Sequence, residues 1–494
     1  MSLALGVRTV SGKPSFLAGI LSAIFERGRA LARRRTETPR ARAADPRAVA
    51  ELTALCSRLV SGDHGEASSV AMSIDILSRW SALDAQGQRD FLLALGSGFG
   101  PDPDRLDRAI DAYRSGPNAE TVMELHQAAE PPRQEVLRRL NLAPLGTQAL
   151  VRMREAGLPH LAEHPALRAL DADFTHLFSS WFNRGFLVLR RIDWSSPANI
   201  LEKIIRYEAV HQIRDWSDLR RRLEPGDRRC FAFFHPQLID EPLIFVEVAL
   251  THGLPSSIGA LLAEDDGAGG APEKRARADT AVFYSISNCQ TGLRGISFGD
   301  FLIKQVVDEL RRDLPELETF VTLSPVPGFG NWLAGQLKDG SGAADHEGLL
   351  AAEDRAILSA ALDGDGWVHD ARRAEQIRPH LLRAAAVYLL QAKAAKGKPL
   401  DPVARFHLNN GASLFRINFL ADTSPRALRE AHGLMVNYQY KLDEIETNHE
   451  RLAQAGHVAA SPEVQRLAGG NGHPPVPPKP AGKDRTRDRA RGRA

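Results

Sequence analysis

Residues 405–418, RFHLNNGASLFRIN, place a histidine directly before a polar Asn-Asn-Gly corner and an apolar run. An imidazole titrates near neutrality, so His407 is a candidate proton donor, with Asn409, Asn410 and Gly411 beside it. A histidine between Phe406 and Leu408 equally suits a hydrogen-bonded core or loop position. A second stretch, TLSPVPGFGNW (322–332), sets Ser324 at a strand end, with Pro325 and Pro327 fixing the backbone behind it. Strand ends in α/β domains face the ligand crevice, although a serine there also serves as a turn or cap. A third stretch runs TAVFYSIS, NCQTGLRGISFG, DFLIKQVVDELRR: strand, glycine loop, helix. Its Gly292, Gly295 and Gly299 allow N–H groups and a helix N-terminus to cradle phosphate. The pattern is neither GxxxxGK[ST] nor GxGxxG, so an ordinary βα turn explains it as well. No GxSxG elbow exists, which argues against a hydrolase triad.

The elements that must hold these residues follow from periodicity. From about Asp45 to Phe182 the sequence is helical nearly throughout. In ALRALDADFTHLFSSWF, Leu167, Leu170, Phe174, Leu177, Phe178 and Trp181 fall on one helical face. PDPDRLDRAIDAYRSG carries Asp and Pro at its start and Gly at its end. After Trp194 the pattern changes: RCFAFFH, PLIFVEVALT, TAVFYSIS, ETFVTLSP and SLFRINFL read as strands. The spacing predicts a helix over 300–312, a largely helical stretch from Asn331 to about Lys398, and one long helix from Pro425 through Glu450. The fold class is therefore α+β and multidomain, an all-α bundle followed by a mixed α/β domain with a helical insertion. The boundaries read as a leader over 1–45, helices over 46–185, the mixed domain over 186–465, and a Pro-rich, basic, disordered tail over 466–494.

Composition narrows the function classes. The chain has 494 residues, 43% hydrophobic and 25% charged, as an ordinary globular protein of two or three domains does. A formal charge of +2, with no basic helix face and no aromatic stacking platform, gives no reason to expect nucleic acid. No run of about 20 apolar residues exists to span a membrane. Cys56, Cys230 and Cys289 fit no metal spacing, and a reducing cytoplasm suits them. The stretch 16–35, FLAGILSAIFERGRALARRR, is Arg-rich and amphipathic like a mitochondrial presequence. The Ala- and Arg-rich composition favours a basic leader on a bacterial, cytoplasmic protein. His160 and His164 in HLAEH are spaced like metal ligands, but no third ligand accompanies them, so no metal is expected.

Taken together, FYSIS, GLRGISFGDFLIK, LSPVPGFGNWL, PVARFHLNNGASLFRINFLAD and GLMVNYQY resemble malonyl-CoA decarboxylases, in order and spacing across roughly 180–445. The resemblance implies a helical oligomerisation domain, hence a homo-oligomer (dimer or tetramer), and a catalytic domain of the GCN5-related N-acetyltransferase fold. It implies malonyl-CoA as substrate and no metal or organic cofactor. It assigns CoA binding to Arg294, Gly295, Ile296, Ser297, Phe298, Gly299 and Asp300, and catalysis to Ser324 and His407. Ser285, Asn409 and Tyr440 fall at or beside polar positions near the family's active site. Position 297 is Ser, where the acetyltransferase pattern has Gly and some family members carry Glu.

Loss of CO2 from malonyl-CoA leaves a thioester enolate that must take a proton on carbon. A neutral serine hydroxyl holds the carboxylate without a salt bridge that would trap the ground state, and a histidine delivers the proton. On this reading Ser324 orients the carboxylate and His407 protonates the enolate. Two alternatives share the motifs: an acyl-CoA-dependent acyltransferase of the same fold, and a non-catalytic CoA-binding scaffold.

Overall fold

The structure, a computed structural model, describes residues 46–469 except 63–64, 264–277, 297, 299–301, 339–348, 363, 365 and 395–396. The leader, the Gly-rich charged loop, most of the Pro-rich tail, and Ser297, Gly299, Asp300 and Phe301 thus lie outside the described residues. Two compact units divide the rest, and each draws on separate stretches of chain. The first comprises the described residues up to Pro225 with Arg229–Glu247 and Ile286–Asp300. The second comprises Gly226–Arg228, Val248–Ser285 and those from Phe301 onward.

The first unit begins with eight helices: α1 (Pro46–Val60), α2 (Glu66–Ala82), α3 (Ala85–Gly98), α4 (Pro103–Ser115), α5 (Ala119–Ala129), α6 (Pro132–Asn141), α7 (Gly146–Gly157) and α8 (Pro165–Trp181). Their starts are written locally. Asp84 caps α3, Asp102 caps α4 with Pro103 at its first turn, and Asn118 caps α5 through a capping box with Thr121. The apolar stripe of α8 is buried, with Leu167, Leu170, Phe174, Leu177 and Phe178 all covered. Strand β1 (Val188–Ile192), α9 (Ala198–Tyr207), α10 (Trp216–Leu223), β2 (Arg228–Phe234) and most of β3 (Pro242–Thr251) complete the unit, and β1 pairs antiparallel with β2.

The second unit holds α11 (Ile258–Leu262), most of β4 (Thr280–Asn288), α12 (Leu302–Asp313), β5 (Thr319–Thr322), β6 (Ser324–Pro325), α13 (Phe329–Leu337), α14 (Ala352–Ala361), α15 (Ala371–Gln391), α16 (Pro402–Asn409), β7 (Ser413–Asn418), α17 (Pro425–Ala431), β8 (Met435–Gln439), α18 (Ile445–Ala455) and α19 (Pro462–Leu467). Its sheet is mixed. β4 runs parallel to β5, and β8 pairs antiparallel with β5, β6 and β7. Alternation sorts the two faces of this sheet. Val282, Tyr284, Val321, Leu323 and Met435 fall in one apolar cluster with Ile258 and Leu261. Phe283, Ser285, Thr322, Ser324, Tyr438 and Tyr440 alternate with them, on the other face. Leu302, Ile303, Val306, Val307 and Leu310 make the buried stripe of α12, each contributing about 1.5–3 kcal/mol by leaving water.

One expectation fails. The single helix over 425–450 is three elements: α17, the strand β8 and α18. The break is local, because His432 takes the left-handed conformation (φ 49°) and Gly433 follows at φ 77°. MVNYQY then alternates as a strand does, and it supplies the middle of the second unit's sheet. No helix among the described residues is long and apolar enough to cross a membrane, and none of their His, Cys, Asp and Glu side chains cluster as a metal site. His160 ends a short 3-10 turn and His164 precedes α8, so no helix presents the pair.

Candidate active site

Ser324 and His407 meet in the second unit. Ser324 Oγ lies 3.0 Å from His407 Nε2, and both residues are buried, at 5% and 2% exposure. Ser324 opens the two-residue strand β6, two residues beyond the end of β5, and pairs with Val436 of β8. His407 projects from the last turn of α16, a short helix begun by Asp401 and Pro402. Behind it the chain turns through Asn410 and Gly411, where Gly411 N–H bonds to Leu408 O and Ala412 N–H to His407 O. Gly411 stands at φ 81°, and a Cβ there would collide with Ile445 O.

Hydrogen bonding orders the pair. The Ser324 hydroxyl donates to Thr322 Oγ1 at 2.9 Å, two residues back on the same face of the strand. Thr322 Oγ1 also accepts from Tyr438 N–H at 3.1 Å, and the Asn437 amide donates to Thr322 O at 2.6 Å. Since Ser324 spends its proton on Thr322, its oxygen accepts from Nε2–H of His407. Nδ1 is then the acceptor, and Tyr440 Oη–H donates to it at 2.8 Å. The imidazole also stacks on the Tyr438 ring, with centroids 4.6 Å apart and planes 23° apart.

Burial sets the protonation states. Removal from water pushes His407 down to about 3, so the imidazole is neutral at physiological pH. This corrects the expectation of a histidine titrating near neutrality: the sequence could not reveal the burial. Desolvation raises the Tyr440 phenol well above its ordinary value, which keeps it a hydrogen-bond donor.

The other expected residues divide. Tyr440 is a direct partner of His407. Ser285 is buried on β4 two residues past Phe283, whose ring meets Tyr440 at 6.3 Å. Asn409 is held elsewhere, its carbonyl accepting from His449 Nδ1 at 2.6 Å. The Arg294–Asp300 loop belongs to the first unit. There Gly295 adopts φ 81° with open space around it, Ile296 and Phe298 are buried, and Ser297, Gly299 and Asp300 are outside the described residues. Arg154 of α7, which sequence reasoning passed over, donates to Gly292 O at 2.8 Å and Arg294 O at 2.9 Å and fixes the start of that loop. Thr322 and Asn437 were also missed. Thr322 could have been found from its i, i+2 spacing to Ser324, whereas Asn437 lay in a strand misread as helix.

The chain matches the model of the malonyl-CoA decarboxylase C-terminal domain over residues 185–475, and that of the family's N-terminal domain over 99–182. The chain belongs to the malonyl-CoA decarboxylase family. The mitochondrial malonyl-CoA decarboxylase of Mus musculus is 35% identical over 418 residues, 80% of this chain and 84% of that enzyme. The corresponding enzyme of Anser anser anser is 38% identical over 335 residues, which span 65% of this chain and 66% of that one. Among solved structures, the malonyl-CoA decarboxylase of Rhodopseudomonas palustris shares 56% identity with a TM-score of 0.79, over 85% of this chain and 99% of that one. Helices first and a mixed sheet after is therefore an architecture this chain shares with crystallised members of the malonyl-CoA decarboxylase family.

Proposed function

We propose that this chain converts malonyl-CoA to acetyl-CoA and CO2, with Ser324 orienting the malonyl carboxylate and His407 protonating the enolate. Membership of the family in both of its domains makes it a decarboxylase. The observation that carries the division of roles is the 3.0 Å contact between Ser324 Oγ and His407 Nε2.

The chemistry follows from the burial. A carboxylate bound at Ser324 loses most of its water, which favours charge dispersed over an enolate above charge held on the carboxylate. The bond between the carboxylate carbon and the methylene carbon breaks, CO2 leaves, and the electron pair moves into the thioester enolate. The methylene carbon then takes a proton from His407. In the free protein that imidazole is neutral, so it must take up a proton from solvent as the substrate binds. A carboxylate docked against Ser324 brings a negative charge within a few ångströms of Nε2 and raises the imidazole pKa. The substrate thereby charges its own proton donor, and the charge is discharged when the enolate is quenched.

The Arg294–Asp300 loop is the part we assign to the CoA moiety, on the motif match, and Ser285 and Tyr440 support the pair from the same sheet face. Assembly into a homo-oligomer through the helical part belongs to this reading too. So does a reducing, cytoplasmic setting, with which three buried free cysteines agree. The test is incubation of the purified protein with malonyl-CoA alone. Acetyl-CoA and CO2 formed without any acceptor are expected; acyl transfer that waits for an added amine would replace this reading with the acyltransferase one.

A further inference from the structure

Ser324 and His407 sit on two short supports, a two-residue strand and an eight-residue helix, yet their polar atoms are 3.0 Å apart. One buried side chain joins the two supports. Asp401, 1% exposed, precedes α16. Its Oδ1 accepts from Val403 N–H and Ala404 N–H, both at 2.9 Å, which caps the helix that carries His407 six residues on. Its Oδ2 faces away from the helix. That oxygen accepts from Gly328 N–H at 3.3 Å, four residues after Ser324, and from Tyr388 Oη–H of α15, also at 3.3 Å. Gly328 has no room for a side chain, because a Cβ there would run into Tyr388 Oη.

We infer that Asp401 is a positioning residue for the Ser324–His407 contact: its carboxylate clasps the start of α16 to the segment leaving Ser324 and so sets the distance between Oγ and Nε2. A helix cap alone needs one acceptor oxygen, and Asn, Ser or Thr supplies it. The second oxygen is what a cap does not explain. Asn410 and Gly411 hold the far end of α16, so the helix is pinned at both ends and His407 projects from between the pins. The inference rests on the assignment of Ser324 and His407 as the catalytic pair.

The test uses the full chain and two substitutions. Asp401→Ser keeps a cap oxygen but is too short to reach Gly328; Tyr388→Phe keeps the cap and the ring and removes one donor to Oδ2. A misplacement of about 1 Å costs up to about 10²-fold in rate, so Asp401→Ser is expected to lower kcat by about 10-fold or more, and Tyr388→Phe by less. KM for malonyl-CoA should stay within about twofold in both, since CoA contacts are untouched. The deciding measurement repeats Asp401→Ser in a His407→Ala background. If Asp401 acts through His407, the loss on kcat shrinks or vanishes there. An equal loss in both backgrounds overturns the clasp and leaves the pair standing. Wild-type turnover by His407→Ala alone overturns the pair, and the clasp with it. Should Asp401→Ser not fold, the same cycle with Tyr388→Phe decides by the same outcomes.

Discussion

His407 Nε2 lies 3.0 Å from Ser324 Oγ although 83 positions separate the two residues in sequence. Each is oriented by a further hydroxyl, Thr322 for the serine and Tyr440 for the histidine. Ser324→Ala and His407→Ala should each lower kcat for malonyl-CoA decarboxylation by about 10²-fold or more, and His407→Ala, which also removes a buried ring stacked on Tyr438, should unfold at a lower temperature. Near wild-type CO2 release by either folded variant removes that residue from the mechanism.

The two supporting hydroxyls should separate by stability. Tyr440→Phe keeps the ring against Phe283 and frees Nδ1 of its donor, so turnover should drop by about 10-fold with the melting temperature held. Thr322→Val leaves the buried Tyr438 N–H without an acceptor, at a cost of about 1–3 kcal/mol, and should lower the melting temperature as well as turnover. Calorimetry beside steady-state kinetics distinguishes them.

A proton donor pushed down to about 3 by burial in the free protein leaves a kinetic signature. kcat/KM reports the free protein, where protonated His407 becomes scarcer with every unit of rising pH, so it should fall steadily between about pH 6 and about pH 8. kcat reports the complex, where the bound carboxylate has raised the pKa, and should stay level further into that range before it falls. A kcat/KM indifferent to pH there would show that His407 need not be charged.

Glu247 in the first unit gives a stability test away from the site. It is fully buried, and desolvation first, then the nearby Glu208 carboxylate, push it from 4.5 up to about 8, against the lowering by Arg222 at 3.1 Å. Asp218 adds to the upward push. A carboxyl with a raised folded-state pKa is harmless below the unfolded value. Between 4.5 and about 8 the unfolded chain releases the proton first, so its contribution to stability is lost as pH rises. Glu247→Gln can still accept from Arg222 and should be more stable than wild type near pH 8 and nearly equal to it at pH 4.5, read by thermal unfolding at the two values. A constant difference across that window would argue against a protonated Glu247.

Gly411 closes the corner behind His407 at φ 81° against Ile445 O. Gly411→Ala combines a left-handed backbone with a steric collision, and destabilisation of about 2 kcal/mol or more is expected from chemical denaturation. A stability within about 0.5 kcal/mol of wild type would mean that the corner relaxes freely.

Much of this was readable in the chain. Helix starts such as Asp102-Pro103 and Asp401-Pro402 are local chemistry, since a cap needs only the next few N–H groups. The stripe on α8 and the strand TAVFYSIS were legible for a similar reason, because periodicity is a property of neighbours. The strand β8 was not, because the apolar content of 425–450 suited a helix and the stop at His432-Gly433 was passed over. With it went Asn437 and Tyr438, which complete the surroundings of Ser324 and His407.

Residue types, the capping and turn chemistry around His407, and the motif pattern that links the chain to its family are all local and stand in the amino-acid order alone. Only the folded chain shows that Ser324 and His407 touch, that Thr322 and Tyr440 set the direction of their hydrogen bonds, and that burial keeps the imidazole uncharged. Contact across 83 positions depends on strand pairing and helix docking between segments far apart in the chain, and the pKa depends on how much water the finished fold excludes.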